Sequence, residues 1–408
     1  MAAIATLEGV PFLNLADPTL STRSKTVKEA RAESWYARTP YGIAVLRYDD
    51  MRNLLLHKQL RQGSHAWPAH NGVTGIFADW WARTILVMEG EDHTRLRRIV
   101  NPAFAPKVVS GLKDAFIGLA IELADEFTGK GHCDFMKEFA DPYAARVLCH
   151  ILGLPKAESD HVLRLSADMG LALGVAFKEN EEKINKATEG MYAYADELVK
   201  HRKTAPGSDF MSALVAASED GERLTNDELR DTILMLVFAG IDTTRNQLGL
   251  TMATFLEHPA QWELLAEKPE LAAKAVEEVM RVRPTITWVT REAIEDFEYN
   301  GVKIKKGTTL HLLSEAAGTD PDIFPPGFDI TAERQRHFGF GGGPHHCLGH
   351  AIARSDMTVA LSVLPARMRN IRPNGPATYL PDSGNTGPIS LPVAFDVAGL
   401  SGRFAADP

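Results

Sequence analysis

The segment from residue 340 to residue 349 reads Phe340-Gly341-Gly342-Gly343-Pro344-His345-His346-Cys347-Leu348-Gly349. Its glycines allow backbone conformations that other residues resist, and they let the main chain approach a flat ligand closely. Hydrogen-bond donors or positive charge on the two neighbouring histidines would favour the thiolate of Cys347, the form that binds metals. The loop therefore predicts that Cys347 is an iron ligand. The alternative is a glycine-rich surface loop with an incidental buried cysteine.

The spacing of this loop resembles the haem-binding loop of the cytochromes P-450. The matching positions are Phe340, the glycines six and four residues before Cys347, His345, and the Leu348-Gly349 pair after the cysteine. In that family a cysteine thiolate is the axial ligand of the haem iron and pushes electron density onto it. The resemblance covers roughly residues 10 to 395. It implies haem b as the cofactor, Cys347 as the metal ligand, and Phe340 and Gly349 among the cofactor-binding residues.

Composition favours one large domain over residues 1–408, with a tail that frays from about residue 397. Of the 408 residues 45% are hydrophobic, enough for a core that encloses a cofactor, and no linker, repeat or charge run divides the chain. Cys133, Cys149 and Cys347 are too few and odd in number for a disulfide framework, which favours a reducing compartment. We expect the first two to be inert buried thiols.

Charge and hydropathy exclude several partners. The net charge of -9, from 44 Lys and Arg against 53 Asp and Glu, is unfavourable for binding nucleic acid. Residues 1–15 lack the basic start and apolar stretch of a signal peptide, and no segment approaches the ~18 apolar residues that span a bilayer. We therefore expect a soluble, cytoplasmic protein with no membrane and no nucleic-acid partner.

A second informative segment runs from Thr225 to Glu257. It opens with a capping-box pattern and closes before a proline, which predicts one helix of roughly 50 Å. Residues 233–241 are apolar nearly all round, so this centre should be buried. A glycine inside a helix, such as Gly240, lowers the stability of the helix, and a buried carboxylate, such as that of Asp242, costs desolvation free energy. Two interpretations stay open: a break at Gly240 with Asp242 or Thr243 capping a second helix, or a catalytic role.

The resemblance favours the catalytic role. Residues 239–244, Ala239-Gly240-Ile241-Asp242-Thr243-Thr244, match the oxygen-activation groove on the long distal helix of the family. The match implies that Ala239 and Gly240 make room beside the iron, that Thr243 hydrogen-bonds dioxygen, and that Asp242 relays protons from solvent. An acid next to an alcohol suits this chemistry, because cleavage of the O–O bond needs protons delivered without flooding the site with water.

Glu278 and Arg281 lie three residues apart in a run of helix formers and so share a helix face. By itself such a pair is typical of a solvated surface. Its match to the family's Glu-x-x-Arg implies instead a structural charge cluster on the thiolate side of the haem. Many relatives complete the cluster with an arginine five residues before the position of His337, where this chain has Ala332. Arg334 lies two residues further on, and the sequence leaves open whether it takes that role.

The two haem propionates need cationic or hydrogen-bonding partners in a closed site. Laid on this chain, the family pattern implies four such residues: His93, Arg97, Arg291 and His345. His93 and Arg97 are four apart on one helical face, and Arg291 lies in a predicted strand, residues 289–293. Taken one at a time, each is more typical of an exposed surface position.

Large uncharged residues are the candidates for a substrate groove. They are the segment 67–81, Val237, Phe238, Ile286, Trp288, Val289 and Ile389. Together they predict a hydrophobic organic substrate, terpenoid, steroid or aromatic, with no dedicated arginine for a carboxylate. The alternative is that several of them are ordinary core residues.

A basic patch near the cysteine loop is predicted from Arg95, Arg98, Lys107, Arg336 and His346. Because the protein as a whole is acidic, a local patch of this kind could steer an acidic ferredoxin or a flavin-type electron donor at short range. Ordinary solvated charge is the alternative.

These features predict a mainly α-helical protein with the cytochrome P-450 fold. A long central helix covers the haem, and a smaller β part lies near the N-terminus and around residues 285–313. The resemblance implies a monooxygenase that inserts one oxygen atom from O2 into a C–H bond. One rival is a peroxide-driven oxygenase of the same fold, against which the Asp242-Thr243 pair argues. The others are a non-enzymatic haem protein and a zinc protein that uses His345, His346, Cys347 and His350, although adjacent ligands suit tetrahedral geometry poorly.

Overall fold

A computed structural model of the chain describes residues 9–70, 72–174, 177–207, 209–219 and 224–397. The tail predicted to fray lies, beyond Val397, outside these residues. The α-helices of the described residues are α1 (Lys25–Glu33), α2 (Tyr48–Leu55), α3 (Trp67–His70), α4 (Ile76–Trp81), α5 (Gly90–Val100), α6 (Pro106–Ser110), α7 (Lys113–Phe127), α8 (Asp141–Leu152), α9 (Ser159–Gly170), α10 (Glu181–Thr204), α11 (Phe210–Glu219), α12 (Asn226–Glu257), α13 (Pro259–Glu267), α14 (Ala272–Val282), α15 (Ser314–Gly318) and α16 (His350–Val363).

The β-strands are shorter and gather into small sheets. They are β1 (Tyr36–Thr39), β2 (Gly42–Val45), β3 (Leu60–Gln62), β4 (His132–Asp134), β5 (Trp288–Ala293), β6 (Phe297–Tyr299), β7 (Val302–Ile304), β8 (Thr309–Leu313), β9 (Met368–Pro373), β10 (Thr378–Tyr379), β11 (Pro388–Ser390) and β12 (Pro392–Val397). The mainly α-helical fold class predicted from the sequence is confirmed.

Helix α12 is the predicted long helix, and it runs without a break through Gly240. Its capping box is formed: Glu228 N–H donates to Thr225 Oγ1 at 3.1 Å, and Thr225 N–H donates to Glu228 Oε2 at 2.8 Å. Its 32 residues span about 48 Å at about 1.5 Å per residue. Since the helix is continuous, the interpretation in which Asp242 or Thr243 caps a second helix is wrong.

The hydrophobic core lies on either side of α12. One cluster joins the N-terminal half of α12 to α4, α8, α9 and α10. A second cluster joins its C-terminal half to α7, α14, α16 and the strands near the C-terminus. Helix α12 is therefore the element around which the rest is packed. In the part of the chain that the structure describes, none of the helices combines the length and apolarity that crossing a bilayer needs.

The largest sheet has the strand order β1-β2-β8-β5-β3, with β2 and β8 parallel and the other pairs antiparallel. It is the β part predicted near the N-terminus and around residues 285–313. The sheet β4-β12-β9 and the pair β10-β11 draw most of their strands from residues 368–397, a β region that the sequence analysis missed.

Candidate active site

The cysteine loop is held in a tight turn by its own backbone. Gly341 N–H donates to Phe338 O at 2.8 Å, and Cys347 N–H donates to Phe340 O at 3.0 Å. Gly341 and Gly343 have φ angles of 65° and 70°, in the left-handed region that favours glycine. These two glycines let the chain fold back on itself between Phe340 and Cys347.

The cysteine side chain faces a cavity of about 540 Å³. Ala239, Gly240 and Thr243 of α12 line the same cavity, as do Phe340 and Gly349 of the loop. The Cys347 side chain retains accessible surface because it opens into this interior space. The structure thus brings the predicted iron ligand and three of the four predicted oxygen-activation residues of α12, Ala239, Gly240 and Thr243, to one cavity.

The electrostatics of the thiol differ from the expectation. Burial raises the pKa of Cys347, and this outweighs a hydrogen bond from Gly349 N–H and the charges of Arg97 and Arg354. Burial, with neighbouring cations, lowers the pKa of His345 and of His346 to about 4, so both rings are neutral near neutral pH. The idea that positive charge on these histidines favours the thiolate is therefore wrong. The favourable groups are Gly349 N–H and the two arginines, and a bound metal ion would add to them.

Four residues that can bind an anion line this cavity, and they are the four predicted for the propionates: His93, Arg97, Arg291 and His345. The His93 and His345 rings lie 4.2 Å apart, centroid to centroid. Arg97 Nη2 donates to His346 O at 2.6 Å, and Arg291 Nη2 donates to Gly342 O at 3.5 Å.

The two arginines of this set, Arg97 and Arg291, have no anionic partner of their own among the described residues. Burial lowers the pKa of Arg291 to about 10, as expected of a desolvated guanidinium. His345 Nε2 is buried without a hydrogen bond, 3.3 Å from Glu89 Oε1. A group with two carboxylates would compensate this charge, so the residues present fit a haem.

Helix α12 presents Thr243 to the cavity. Its hydroxyl donates to Ala239 O, one turn earlier, at 2.6 Å. The Cβ that Gly240 lacks would lie 2.8 Å from Leu148 Cδ1, so the glycine lets α12 approach α8 closely as well as lining the cavity.

Asp242 is buried beside the cavity and does not line it. Its Oδ1 lies 3.4 Å from Arg245 Nε, and Asn385 Nδ2 donates to its Oδ2. Arg245 Nη1 in turn lies 3.4 Å from Oδ1 of Asp141, whose side chain is 28% exposed. Burial raises the pKa of Asp242 and also that of Asp141. A row of ionisable groups therefore leads from Asp242 towards solvent.

The predicted substrate residues divide into two groups. Phe238, Ile286, Trp288 and Val289 line the cavity, together with Trp67 and Trp81 from the segment 67–81. Val237 does not, because consecutive residues of a helix point about 100° apart and it packs into the hydrophobic core. Ile389 does not line the cavity either, and it is 55% exposed. The structure therefore places Val237 and Ile389 away from the cavity that the other predicted substrate residues line.

The predicted charge cluster is formed and buried. Arg281 Nε and Nη2 donate to the two oxygens of Glu278 at 2.7 and 2.6 Å, and both side chains are 3% exposed. Arg334 Nη2 donates to Glu278 Oε1 at 3.2 Å, and Asp329 N–H donates to the same oxygen at 3.0 Å. Arg334 therefore takes the place that Ala332 leaves empty, which the sequence left open.

Only some of the cations of the predicted basic patch are exposed and outside ion pairs with the described carboxylates. Arg95 is paired with Glu228 across to α12 and lies 3.7 Å from Asp92. Arg98, Lys107 and Arg336 are exposed. The pKa of His346 is lowered first by burial, then by His350 and then by the charge of Arg336, which therefore lies near the cysteine loop. The charge of Arg95 is thus partly compensated within the protein, which leaves Arg98, Lys107 and Arg336 as the exposed cations of the predicted patch.

The zinc interpretation does not fit the loop. His345 stacks on His93, while His346 lies 4.7 Å from His350, centroid to centroid. The side chains that would have to converge with Cys347 on one ion therefore point to different neighbours. Among the described residues no group of three or more His, Cys, Asp or Glu side chains is placed to hold a metal ion.

Sequence reasoning missed several polar residues that line the cavity, among them Tyr41, His311 and Asp356. Asp356 is buried in α16 with Oδ1 unpaired, and burial raises the pKa of this carboxyl well above its usual range. Tyr41 and His311 reach the cavity only because β2 and β8 pair next to β5. No local pattern in the sequence could have indicated that pairing.

Comparison with known proteins gives concordant results. A family model described as cytochrome P450 matches residues 165–365. The luteothin monooxygenase of Streptomyces thioluteus is 37% identical over 397 residues, which cover 95% of this chain and 97% of that protein. The mycinamicin IV hydroxylase/epoxidase of Micromonospora griseorubida is 33% identical over 396 residues, with 94% and 98% covered.

Solved structures agree in fold. The crystal structure of CalO2 superposes with a TM-score of 0.84 at 27% identity, covering 94% of this chain and 100% of that one. The structure of P450BioI in complex with an acyl carrier protein that bears hexadec-9Z-enoic acid gives a TM-score of 0.83 at 28% identity, covering 91% and 97%.

Proposed function

Because the chain belongs to the cytochrome P450 family, we propose that Cys347 ligates the iron of its haem and that Thr243 and Asp242 supply protons on the opposite side. The protein is a haem-thiolate monooxygenase with haem b as cofactor, and O2 and a hydrophobic molecule are its substrates. The observation that carries the residue assignments is the single cavity shared by Cys347, Thr243 and the uncompensated cations.

We assign His93, Arg97, Arg291 and His345 to the propionates of the haem. The two guanidiniums can donate charge-assisted hydrogen bonds to carboxylates, and at present they donate only to backbone carbonyls. The neutral imidazoles can donate one hydrogen bond each. When bound, the haem activates O2 with two electrons from a donor, so that one oxygen atom enters a C–H bond and the other leaves as water.

Thr243 is the last group of the proposed proton path, the one that donates to the reacting oxygen. Its hydroxyl donates to Ala239 O, and a change of χ1 would turn it into the cavity without moving the helix. Asp242 follows Thr243 in this path, and burial raises the pKa of its carboxyl, which favours a proton on it. Arg245 and Asp141 connect Asp242 with the solvent side. These steps support O2-dependent chemistry over the peroxide-driven alternative, which needs no external protons.

Replacing Thr243 with alanine should leave haem and substrate affinity unchanged but divert reducing equivalents to hydrogen peroxide. We expect productive turnover to slow because its activation free energy rises by about 1–3 kcal/mol, the equivalent of one lost hydrogen bond. The measurement is product formed per electron consumed.

Thr251→Ala is the matched control for this prediction. Thr251 makes the same contact one turn back, to Gln247 O at 2.7 Å, on the same helix, but it does not line the cavity. Equal coupling in the two variants would remove Thr243 from proton delivery.

The substrate we propose is an uncharged hydrophobic organic molecule. Phe238, Ile286, Trp288 and Val289 give the cavity its apolar walls. Among the described lining residues, the arginines are those assigned to the propionates, and burial raises the pKa of Asp356 well above its usual range. A substrate carboxylate would therefore compete with the cofactor for the same cations.

We propose that an acidic ferredoxin or flavin-type donor docks over the cysteine loop, on the exposed cations Arg98, Lys107 and Arg336. Arg336→Glu should slow the first electron transfer about tenfold at low ionic strength, because steering by a local patch is lost, and the difference should shrink as salt is added. Substrate affinity should not change. Lys200→Glu, an exposed cation on α10, is the control. Reduction rates that respond equally to both changes, or to neither, would contradict docking at this patch.

A further inference from the structure

The cavity continues past strand β5 to the other face of the large sheet. Successive side chains of a strand point to opposite faces, so Val289 and Arg291 lie on one face of β5 and Trp288 and Thr290 on the other. All four line the cavity. Thr290 is paired with His311 of β8, which lies on the same face as Trp288. We call this extension, lined by Tyr41, Trp288, Thr290, Thr309 and His311, the sheet branch.

His311 is a buried imidazole without a protein partner. It is 8% exposed, and its Nδ1 is buried without a hydrogen-bond partner among the residues that the structure describes. Burial lowers the pKa of His311 to about 4, so the ring is neutral near neutral pH and offers one donor and one acceptor. Buried polar groups are as a rule hydrogen-bonded, so one that is unpaired and lines a cavity indicates a ligand.

Trp288, which is only partly buried, likewise lacks a protein partner for its polar atom. Buried tryptophans elsewhere in the described chain donate their indole N–H to a carbonyl: Trp81 to Ser64 O at 2.9 Å and Trp262 to Met368 O at 2.6 Å. The Trp288 indole has no acceptor among the described residues, and it lines the cavity. It stands against the His311 ring at 5.3 Å and an interplanar angle of 74°. Two unpaired donors therefore stand side by side in the sheet branch.

The other wall of the branch is also aromatic. The ring of Tyr41 lies 5.9 Å from His311, edge to face. Aromatic rings arranged in this way favour a further flat group, stacked or edge-on, over a bulky saturated one. With His311 neutral, the sheet branch contains no charged side chain, which makes it unfavourable for an ion.

We propose that the sheet branch is a second recognition subsite, which binds the end of the substrate remote from the oxidised carbon and selects an uncharged planar group that accepts a hydrogen bond, such as a ring carbonyl. The proposal rests on the proposed function, since the cavity that the branch extends is the one assigned to haem and substrate. His311 and Trp288 are then specificity residues that donate to the acceptor, and Tyr41 packs on the planar group. They take no part in the oxidation itself.

The test uses paired synthetic ligands on the haem-containing protein. Each carries an imidazole that ligates the iron, an alkyl chain from butyl to dodecyl, and a terminal ring that is either para-acetylphenyl or para-ethylphenyl. Dissociation constants are read from the shift of the Soret band, so no turnover is needed. At the chain length that reaches the branch, the acetyl ligand should bind about tenfold more tightly than its ethyl partner, the effect of one added hydrogen bond.

Variants assign the effect to the branch. His311→Phe and the less buried Trp288→Phe should each remove most of the acetyl preference, read for each variant as the ratio of its acetyl and ethyl dissociation constants. His57→Phe is the matched control, because His57 is also a partly buried imidazole with an unpaired Nδ1, stacked 4.6 Å from Phe297 and outside the cavity. It should keep the full preference.

Two results would overturn the proposal: no acetyl preference at any chain length in the unmodified protein, or a preference that survives both His311→Phe and Trp288→Phe. Failure of the proposed haem site looks different, because a protein without haem shows no Soret band at all. In that case calorimetric titration with free acetylbiphenyl and ethylbiphenyl decides the matter. Equal affinity for these two ligands would end the proposal independently of the haem.

Discussion

Cys347→Ala should reduce product formation to the level of the uncatalysed reaction, while the protein stays folded. The side chain faces the cavity and packs little, so its removal costs little stability. What is lost is the thiolate that donates electron density to the iron. The measurement is product formed under O2 with an excess of electron donor, alongside the thermal unfolding midpoint.

Cys149→Ala provides the control for this result. Cys149 is a buried thiol in α8, and burial raises its pKa to about 12, so it is an inert packing residue. We expect Cys149→Ala to lower stability by about 1 kcal/mol or a little more and to keep full activity. If the Cys347 variant still formed product at a rate near that of the Cys149 variant, Cys347 could not be the ligand.

Glu278→Gln should destabilise the fold by about 3–5 kcal/mol, because it leaves the guanidiniums of Arg281 and Arg334 buried without their shared carboxylate. Glu278 also accepts the backbone N–H of Asp329, so the loop that leads to Arg334 loses an anchor. The measurement is the free energy of unfolding from urea titration, with haem content followed in the same samples.

Glu29→Gln is the matched control, since it breaks an exposed pair, Lys25 to Glu29 at 2.9 Å on α1. An exposed pair contributes about 0.5 kcal/mol or less. A loss for Glu278→Gln no larger than that for Glu29→Gln would mean that the buried cluster is not structural.

Local patterns were sufficient for the elements closest to the chemistry. The capping box at Thr225 and the apolar run after it fix α12, and the glycines around Cys347 fix the loop, because both depend on neighbours within a few residues. The pair Glu278 and Arg281 was also visible at helical spacing. Arg334, the third member of the buried charge cluster, could not be assigned from the sequence. The chain between α14 and the cysteine loop can place either position 332 or position 334 beside Glu278.

The misses come from long-range packing. Val237 and Phe238 are equally apolar, and only the rotation of α12 about its axis decides which one faces the cavity. The sheet β4-β12-β9 unites residues 132–134 with residues near the C-terminus, a pairing without a local signal. His311 and Trp288 meet through the antiparallel pairing of β5 with β8. Trp288 was already a candidate substrate residue, whereas the His311 side chain became a candidate only once that register was known.

The absorption spectrum of the reduced, carbon-monoxide-bound protein tests the assignment of Cys347 most directly. With a cysteine thiolate on the iron, the Soret band should lie at the long-wavelength position typical of thiolate-ligated haem, and Cys347→Ala should abolish that band while Cys149→Ala keeps it. A band at the position of histidine-ligated haem in the unmodified protein, or an unchanged band in Cys347→Ala, would contradict the assignment.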